Sequence, residues 1–526
     1  MRFHQCCQLL QCRWLAIAGL LACSASCCVV VATRVDAKPL IDPPPTLQLQ
    51  QLEVKLQKLR DSVAQAHLVE LPQAVSAVLN RNPALAEALN DVEARRWDLV
   101  AVRRSWAPSL SLTTDGDSPL LGQLFNTSTA VYPNSTGSSF ATSTYNSTYF
   151  QYSSYPLASL QAVLNWEFYK PTRAPSIKAS LDQLQAQHLA VNSVARSLIL
   201  DAQIAYNKLQ EIGLLIDAYE QICAVNRLDY ELVVTQLKKG VSTVGDRAQQ
   251  LTLLLNQIST LLNLYNAKVQ VGADLARLMG ADPGSLVIAQ PLLSLDLDSP
   301  MPRWLLGFEA TLQQGLRLRE EIQIALKQAS AERWQAHRLV NQYLPALSLK
   351  AYAGYANFTG YYQADVGSSA TPYYSNQTSI DVVLGLGMHW TLFDGGVKRA
   401  KARSADASAA SYGQQATAAQ QQIGAQIRSS FSSYEMSTMA LQAAYIAWEQ
   451  AQESLAVARK RYAVGIGDFT TIVQANEMLA RAADNLSKHR LAYKNSVAEL
   501  YRYSAEWPPV AQEGLSQLLD LMQKEL

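Results

Sequence analysis

Between residues 176 and 239, apolar and small side chains recur at steps of three and four. The stripe runs through Ile177, Leu181, Leu184, His188, Val191, Ala195, Leu198, Ala202, Ala205, Leu209, Ile212, Ile216, Tyr219 and Cys223. A seam held over so many heptads is the pattern of a helix packed against partners along its whole length. At about 1.5 Å per residue the helix would reach roughly 95 Å, too long for a compact domain. A second seam, from Lys398 to Arg461, passes through Ile423, Ile427, Ser430, Tyr434, Ser437, Leu441, Ala444, Trp448, Ala451, Leu455, Ala458 and Tyr462. Its many Ala and Ser residues let helix backbones approach closely.

The two seams belong to a duplication. Trp97 precedes Pro108, and Trp334 precedes Pro345, by the same 11 residues. Pro108-Ser-Leu-Ser-Leu112 parallels Pro345-Ala-Leu-Ser-Leu349, and Leu164-Asn165-Trp166-Glu167-Phe168 parallels Met388-His389-Trp390-Thr391-Leu392. From these tryptophans to the glycines that end the seams is 74 residues (166 to 240) and 75 residues (390 to 465). Spacing kept over such a length implies a repeated structural unit. Each seam ends in a short turn, Leu237 to Asp246 and Arg461 to Thr471, after which a shorter helix returns to Met279-Gly280 and to the neighbourhood of Tyr503-Ser504.

Ahead of each seam lies a pair of strands. Leu160, Ala162, Leu164, Trp166 and Phe168 alternate with Ser159, Gln161, Asn165 and Glu167. Ile380, Val382, Leu384, Leu386, Met388, Trp390 and Leu392 alternate with Asp381, Gly385, Gly387, His389 and Thr391. Period two marks a sheet that is apolar on one face and wet on the other. An antiparallel sandwich shows such alternation, but these strands run straight into helices with no others to pack on, so a membrane barrel fits better. Four strands cannot close a barrel, since the smallest single-chain ones use about eight; several copies must contribute. Segments 115–155 and 357–378, rich in Ser, Thr, Asn, Gly and Tyr, read as long loops between paired strands. Trp106, Tyr169, Tyr352 and Trp390, near strand ends, suit either aromatic girdles at the membrane faces or ordinary packing.

Residues 1–37 read as a secretory signal, with Arg2 and Arg13 before or within an apolar stretch and Val35-Asp36-Ala37 as a cleavage site. Leu20-Leu21-Ala22-Cys23 only approximates a lipid-attachment site. Six of the 7 cysteines fall in this segment, leaving Cys223, so no disulfide framework or cysteine metal site is expected. The net charge of +1 offers no field for nucleic acid, and charged residues, at 17 %, fall below the usual fraction of about 25 %. The histidines at 67, 188, 337, 389 and 489 have no metal-ligand spacing, and no phosphate loop, nucleophile elbow or dinucleotide fingerprint appears in a credible context. No enzyme activity, cofactor or metal is expected.

The chain resembles the TolC family of outer-membrane channels. The resemblance is carried by Asn82-Pro83, the two Pro-x-Leu-Ser-Leu strands, Trp390-Thr-Leu-Phe-Asp394-Gly-Gly396 and Arg461-Tyr462-x-x-Gly465. It spans roughly residues 70 to 506. It implies an α+β membrane protein whose four β-strands per chain join a trimeric, 12-stranded outer-membrane β-barrel. A long coiled-coil-like α-helical barrel with a small mixed equatorial region would continue it across the periplasm. The implied role is a passive exit duct for tripartite efflux or type I protein secretion. The implied partners are two further copies, a periplasmic adaptor, an inner-membrane transporter of ABC, RND or MFS type, and outer-membrane lipid. A surface-anchored coiled-coil protein with a soluble sandwich is the alternative.

By the same resemblance, Tyr462 and Asp246 belong to a network that closes the periplasmic end, and Gly240, Gly465 and Gly467 to the tips an adaptor engages. Gly467 replaces an arginine of that pattern, and Thr471 and Gln474 stand where it has an acidic ring. Asp468 could supply the missing carboxylate, a threefold axis making a ring of three like charges; it could equally cap the returning helix. The expected organisation is a signal (1–37), linker and extra helix (38–70), first repeat (71–280), inter-repeat segment (281–302), second repeat (303–506) and tail (507–526).

Overall fold

The computed structural model describes residues 45–114, 121–135, 144–291, 301–365, 373–512 and 514–516. The expected signal, the lipid-attachment motif and part of the inter-repeat segment lie outside them. Two units are distinguished, 1–56 and 57–526. The described part of the first is the opening stretch of α1 (Pro45–Ala64). The extra helix expected within 38–70 ends at Ala64; His67–Val69 forms β1, which pairs in parallel with β5 (Val287–Ala289).

The first repeat continues with α2 (Leu71–Arg81) and α3 (Pro83–Arg104). The break between them has a local cause. Pro83 cannot continue a helix but suits its first turn, and Asn82 caps α3 by accepting from the Ala84 N–H at 2.8 Å. Next come β2 (Ser109–Thr113), β3 (Leu121–Ser135), β4 (Thr144–Tyr169), α4 (Arg173–Lys238) and α5 (Val244–Leu278). After β5 the order recurs as α6 (Phe308–Leu318), α7 (Glu320–Asn341), β6 (Ala346–Asp365), β7 (Tyr373–His389), α8 (Val397–Ala463) and α9 (Phe469–Tyr503). Both seams are single helices, of 66 and 67 residues.

The expected loop at 115–155 is only partly loop, because β3 and the start of β4 form an antiparallel hairpin there. β6 occupies one edge of β4 from Phe150 to Tyr169, so β2 and β3, which pair with Gln161–Asn165 and Thr144–Ala158, must share the other edge. They are two pieces of one interrupted ribbon. The sheet is therefore four antiparallel ribbons in the order β2/β3, β4, β6, β7.

Register settles which side chains share a face. Leu110 lies opposite Leu164, Leu164 opposite Ala351, and Ala351 opposite Leu384. One row over, Leu112, Ala162, Ala353 and Val382 align in the same way. This face is open: Leu110, Leu112, Ile380, Val382 and Leu384 are all exposed, and Leu386 is 81 % exposed. The opposite face carries Ser111, Gln161, Lys350, Gly354, Asp381 and Gly387.

Where sheet meets helix, the duplication acquires a physical reason. The Trp166 indole donates to the Trp106 carbonyl at 2.9 Å, and the Trp390 indole donates to the Tyr343 carbonyl, also at 2.9 Å. The acceptors stand two residues before Pro108 and Pro345. Trp390 and Leu392 lie past the end of β7, so the second tryptophan belongs to the junction rather than to the strand. Asp394 fixes the start of α8, accepting from the Gly396 and Lys398 N–H groups at 3.0 Å each and from the Tyr343 hydroxyl at 2.7 Å.

Candidate functional site: the paired helix tips

The turn from α4 to α5 and the turn from α8 to α9 have the same backbone. Gly240 and Gly465 are left-handed, with φ of 74° and 76°, where a Cβ would clash with the neighbouring carbonyl. The following N–H groups reach back five residues, Val241 to the Gln236 carbonyl at 2.9 Å and Ile466 to the Arg461 carbonyl at 3.0 Å. Glycine at this position satisfies carbonyls that the helix end would otherwise leave open. Three residues beyond each glycine the next helix is capped, by Thr243 and by Asp468.

The caps differ in chemistry. Thr243 and Asp246 form a reciprocal box: the Asp246 N–H donates to the Thr243 hydroxyl at 3.1 Å, and the Asp246 carboxylate accepts from the Thr243 N–H at 2.8 Å. The same carboxylate accepts from the hydroxyls of Thr243, at 2.8 Å, and Ser242, at 3.0 Å. The Thr243 backbone bond, then these hydroxyls, hold Asp246 below the ordinary carboxylate range. At the other tip the residue types are exchanged, with Asp468 at the cap and Thr471 three residues on. Asp468 makes no side-chain capping hydrogen bond and is exposed, as are Thr471 and Gln474. Gly467 lies against its own helix end, where an added Cβ would meet the Tyr462 nitrogen at 3.0 Å.

Tyr462 ties the tips together. Its hydroxyl donates to the Gln236 side-chain carbonyl at 2.8 Å, and its ring stands edge-on to Phe469 at 5.7 Å. One turn away, Arg459 pairs with Asp229 at 3.2 Å. Burial raises the Asp229 pKa and Arg459 opposes that rise. Val233, Leu253, Leu455, Ala458, Phe469, Ile472 and Val473 pack as one apolar cluster behind the turns. Gln236, Asp229 and Arg459 were not singled out from the sequence; their partners lie more than two hundred residues away and no local pattern announces them.

Farther from the tips the contacts between α4 and α9 become ionic and buried. Tyr219 donates to Asp484 at 2.9 Å. Glu211 receives Arg490 and Lys494, each at 2.9 Å, with Arg490 and Glu211 only 2 % exposed. At about 1.5 Å per residue this triad sits some 40 Å from the turn. Closer to the sheet, Glu321 at the start of α7 accepts from Arg502 at 2.8 Å and from Nε and Nη2 of Arg319 at 2.9 Å each. Burial would raise the Glu321 pKa, but the bonds and charges of Arg319 and Arg502 outweigh it and hold the group at about 2.

The cysteine and histidines among the described residues lie apart from these contacts. Cys223 is half-buried, and burial pushes its thiol up to about 11. His188 is half-buried on α4, His337 lies against Trp334 at 5.5 Å, and His389 is exposed at the end of β7. Among the described residues no group of three or more His, Cys, Asp or Glu could hold a metal, and no helix is long and apolar enough to cross a membrane.

Residues 311–506, nearly the whole second repeat, match the family model described as outer membrane efflux protein. No curated protein matches the chain by sequence. Among solved structures, the outer-membrane channel OprN is 20 % identical, with a TM-score of 0.59 over 83 % of this chain and 90 % of its own. The outer membrane protein VceC of Vibrio cholerae is 17 % identical, with a TM-score of 0.60 over 83 % and 97 %. The CmeC outer membrane channel of Campylobacter jejuni is 14 % identical, with a TM-score of 0.62 over 87 % and 89 %. The chain shares the fold of these channels, as the resemblance read from its motifs implied.

Proposed function

We propose that the protein is a passive outer-membrane exit duct of three copies, with its long helices in the periplasm and its paired tips as the gate. One observation carries the reading: a four-ribbon antiparallel sheet with a continuous exposed apolar face runs directly into helices of 66 and 67 residues. Its outer ribbons, β2/β3 and β7, run in opposite directions, so the free edge of one copy can pair antiparallel with that of the next. Free apolar edges otherwise invite aggregation, and closure removes them. Three copies supply 12 ribbons, the polar face lining the channel. Against a soluble sandwich, no element among the described residues covers the apolar face.

The outer membrane efflux protein match in the second repeat supports efflux as the role. The duct has no chemistry of its own, so the energy and the choice of cargo fall to a periplasmic adaptor and an inner-membrane transporter. Tyr462, Asp246, Asp468, Thr471 and Gln474 form the gate region, and the turns at Gly240, Gly465 and Gly467 are the surface an adaptor meets. The test is fractionation of cells expressing the full chain, followed by electrophoresis with and without heating. Outer-membrane recovery as an oligomer that dissociates only on heating is expected; a soluble monomer refutes the reading.

A further inference from the structure

We propose that the junction between sheet and helices is a binding belt for anionic phospholipid headgroups, which rests on the membrane-channel reading above. Four stretches meet at this level: residues 103–109, 166–173, 343–347 and 389–401. They are joined by the Trp166–Trp106 and Trp390–Tyr343 hydrogen bonds, and Lys398 stands 5.4 Å over the Tyr343 ring. Their basic residues are Arg103, Arg104, Lys170, Arg173, Lys398, Arg399 and Lys401; their acidic residues are only Glu167 and Asp394.

Both carboxylates are already engaged. Glu167 pairs with Lys170 at 2.6 Å, and Asp394 caps α8 while accepting from Tyr343. Arg103, Arg104, Arg399 and Lys401 are exposed and take part in no ion pair among the described residues. The positive excess is thus exposed, at the level where the apolar sheet face ends.

The neighbouring apolar side chains fit the same depth. Trp106 and Trp390 are a little over half exposed, and beside them Leu392 and Phe393 stand open at 75 % and 87 %. Exposed indole rings favour the boundary between acyl chains and headgroups. Exposed cations at that boundary attract anionic lipid and are weakened by salt within a Debye length of about 10 Å at 0.1 M. A wet protein surface explains the cations but not the bare Leu392 and Phe393; a purely apolar girdle explains these but not the charge excess. An anionic lipid interface accounts for both.

The test uses the full chain in lipid nanodiscs of phosphatidylcholine mixed with phosphatidylglycerol. The lipid retained through detergent extraction is measured by mass spectrometry. Phosphatidylglycerol should be enriched roughly tenfold over the bulk at low salt, and the enrichment should vanish at 1 M salt. The Arg103→Ala/Arg104→Ala/Arg399→Ala/Lys401→Ala variant should lose it, and the four-lysine counterpart (Arg103→Lys/Arg104→Lys/Arg399→Lys) should keep it. Removing the distant cations Arg247→Ala and Arg317→Ala should leave it unchanged. Incorporation with no preference, or a preference that survives the quadruple variant, overturns the belt alone. Failure to enter any bilayer overturns the channel reading and the belt with it.

Discussion

The two helix tips share one backbone and divide their chemistry. Each closes with a left-handed glycine and a bond five residues back, and each places a cap three residues later. At the α4–α5 tip the carboxylate, Asp246, is turned inward and saturated with local donors. At the α8–α9 tip the carboxylate has moved to the cap, Asp468, and no capping bond restrains it. Swapping Thr and Asp between cap and third position changes a self-contained turn into one that presents a free charge. The first tip is built for local stability; the second leaves its carboxylate without a capping bond.

The comparison breaks first if the two hairpins do not fold as one unit. Glu211→Ala strips the partner from buried Arg490 and Lys494, and removing one member of a buried ion pair costs about 3–5 kcal/mol. Denaturant unfolding should show this loss in both hairpins together; loss of one hairpin alone would separate them.

Gly240→Ala and Gly465→Ala come next. Each forces a Cβ into the left-handed region at about 1–2 kcal/mol, and the effects should be equal because the φ values agree. Unequal losses in thermal unfolding would mean that the surroundings, not the turn, set the requirement.

The cap substitutions then separate the tips. Thr243→Ala should cost about 1 kcal/mol, whereas Asp468→Ala should leave stability nearly unchanged. In planar bilayers the order should reverse: Asp468→Ala should alter single-channel conductance and its block by multivalent cations, and Thr243→Ala should not. Unchanged conductance and block for Asp468→Ala would remove Asp468 from the aperture.

The smallest expected effect is the pH response of the α4–α5 tip. Asp246 has a lowered pKa in the folded state, so its contribution is complete above the unfolded value near 4 and is lost as pH falls through the folded value. Amide exchange at Thr243 to Arg247 should quicken below about pH 4, and Asp246→Asn should abolish the dependence.

Much of this was readable in the chain. Heptad seams located α4 and α8 to within a few residues, because a helix packed on one side must repeat its apolar positions every 3.5 residues or so. Alternation located β4 and β7 for the same kind of reason at period two. The misplaced boundaries share a cause. Trp390 continued the alternation of β7 but is held by the Tyr343 carbonyl, and His67, within the segment read as linker and helix, pairs with Val287. Local pattern extended each element until a distant partner stopped it. The polar stretch at 115–155 hid a hairpin because its pairing is made by backbone groups, which every sequence supplies.

The sequence by itself determined the long helices, the duplication and the turn glycines, since these follow from the period and the φ each residue tolerates. It also placed Tyr462 and Asp468 at a tip. Only the tertiary structure decided that Tyr462 reaches Gln236 and that Arg459 reaches Asp229. Hydrogen-bond partners are fixed within a few tenths of an ångström by the packing of helices hundreds of residues apart, and no periodicity encodes that distance.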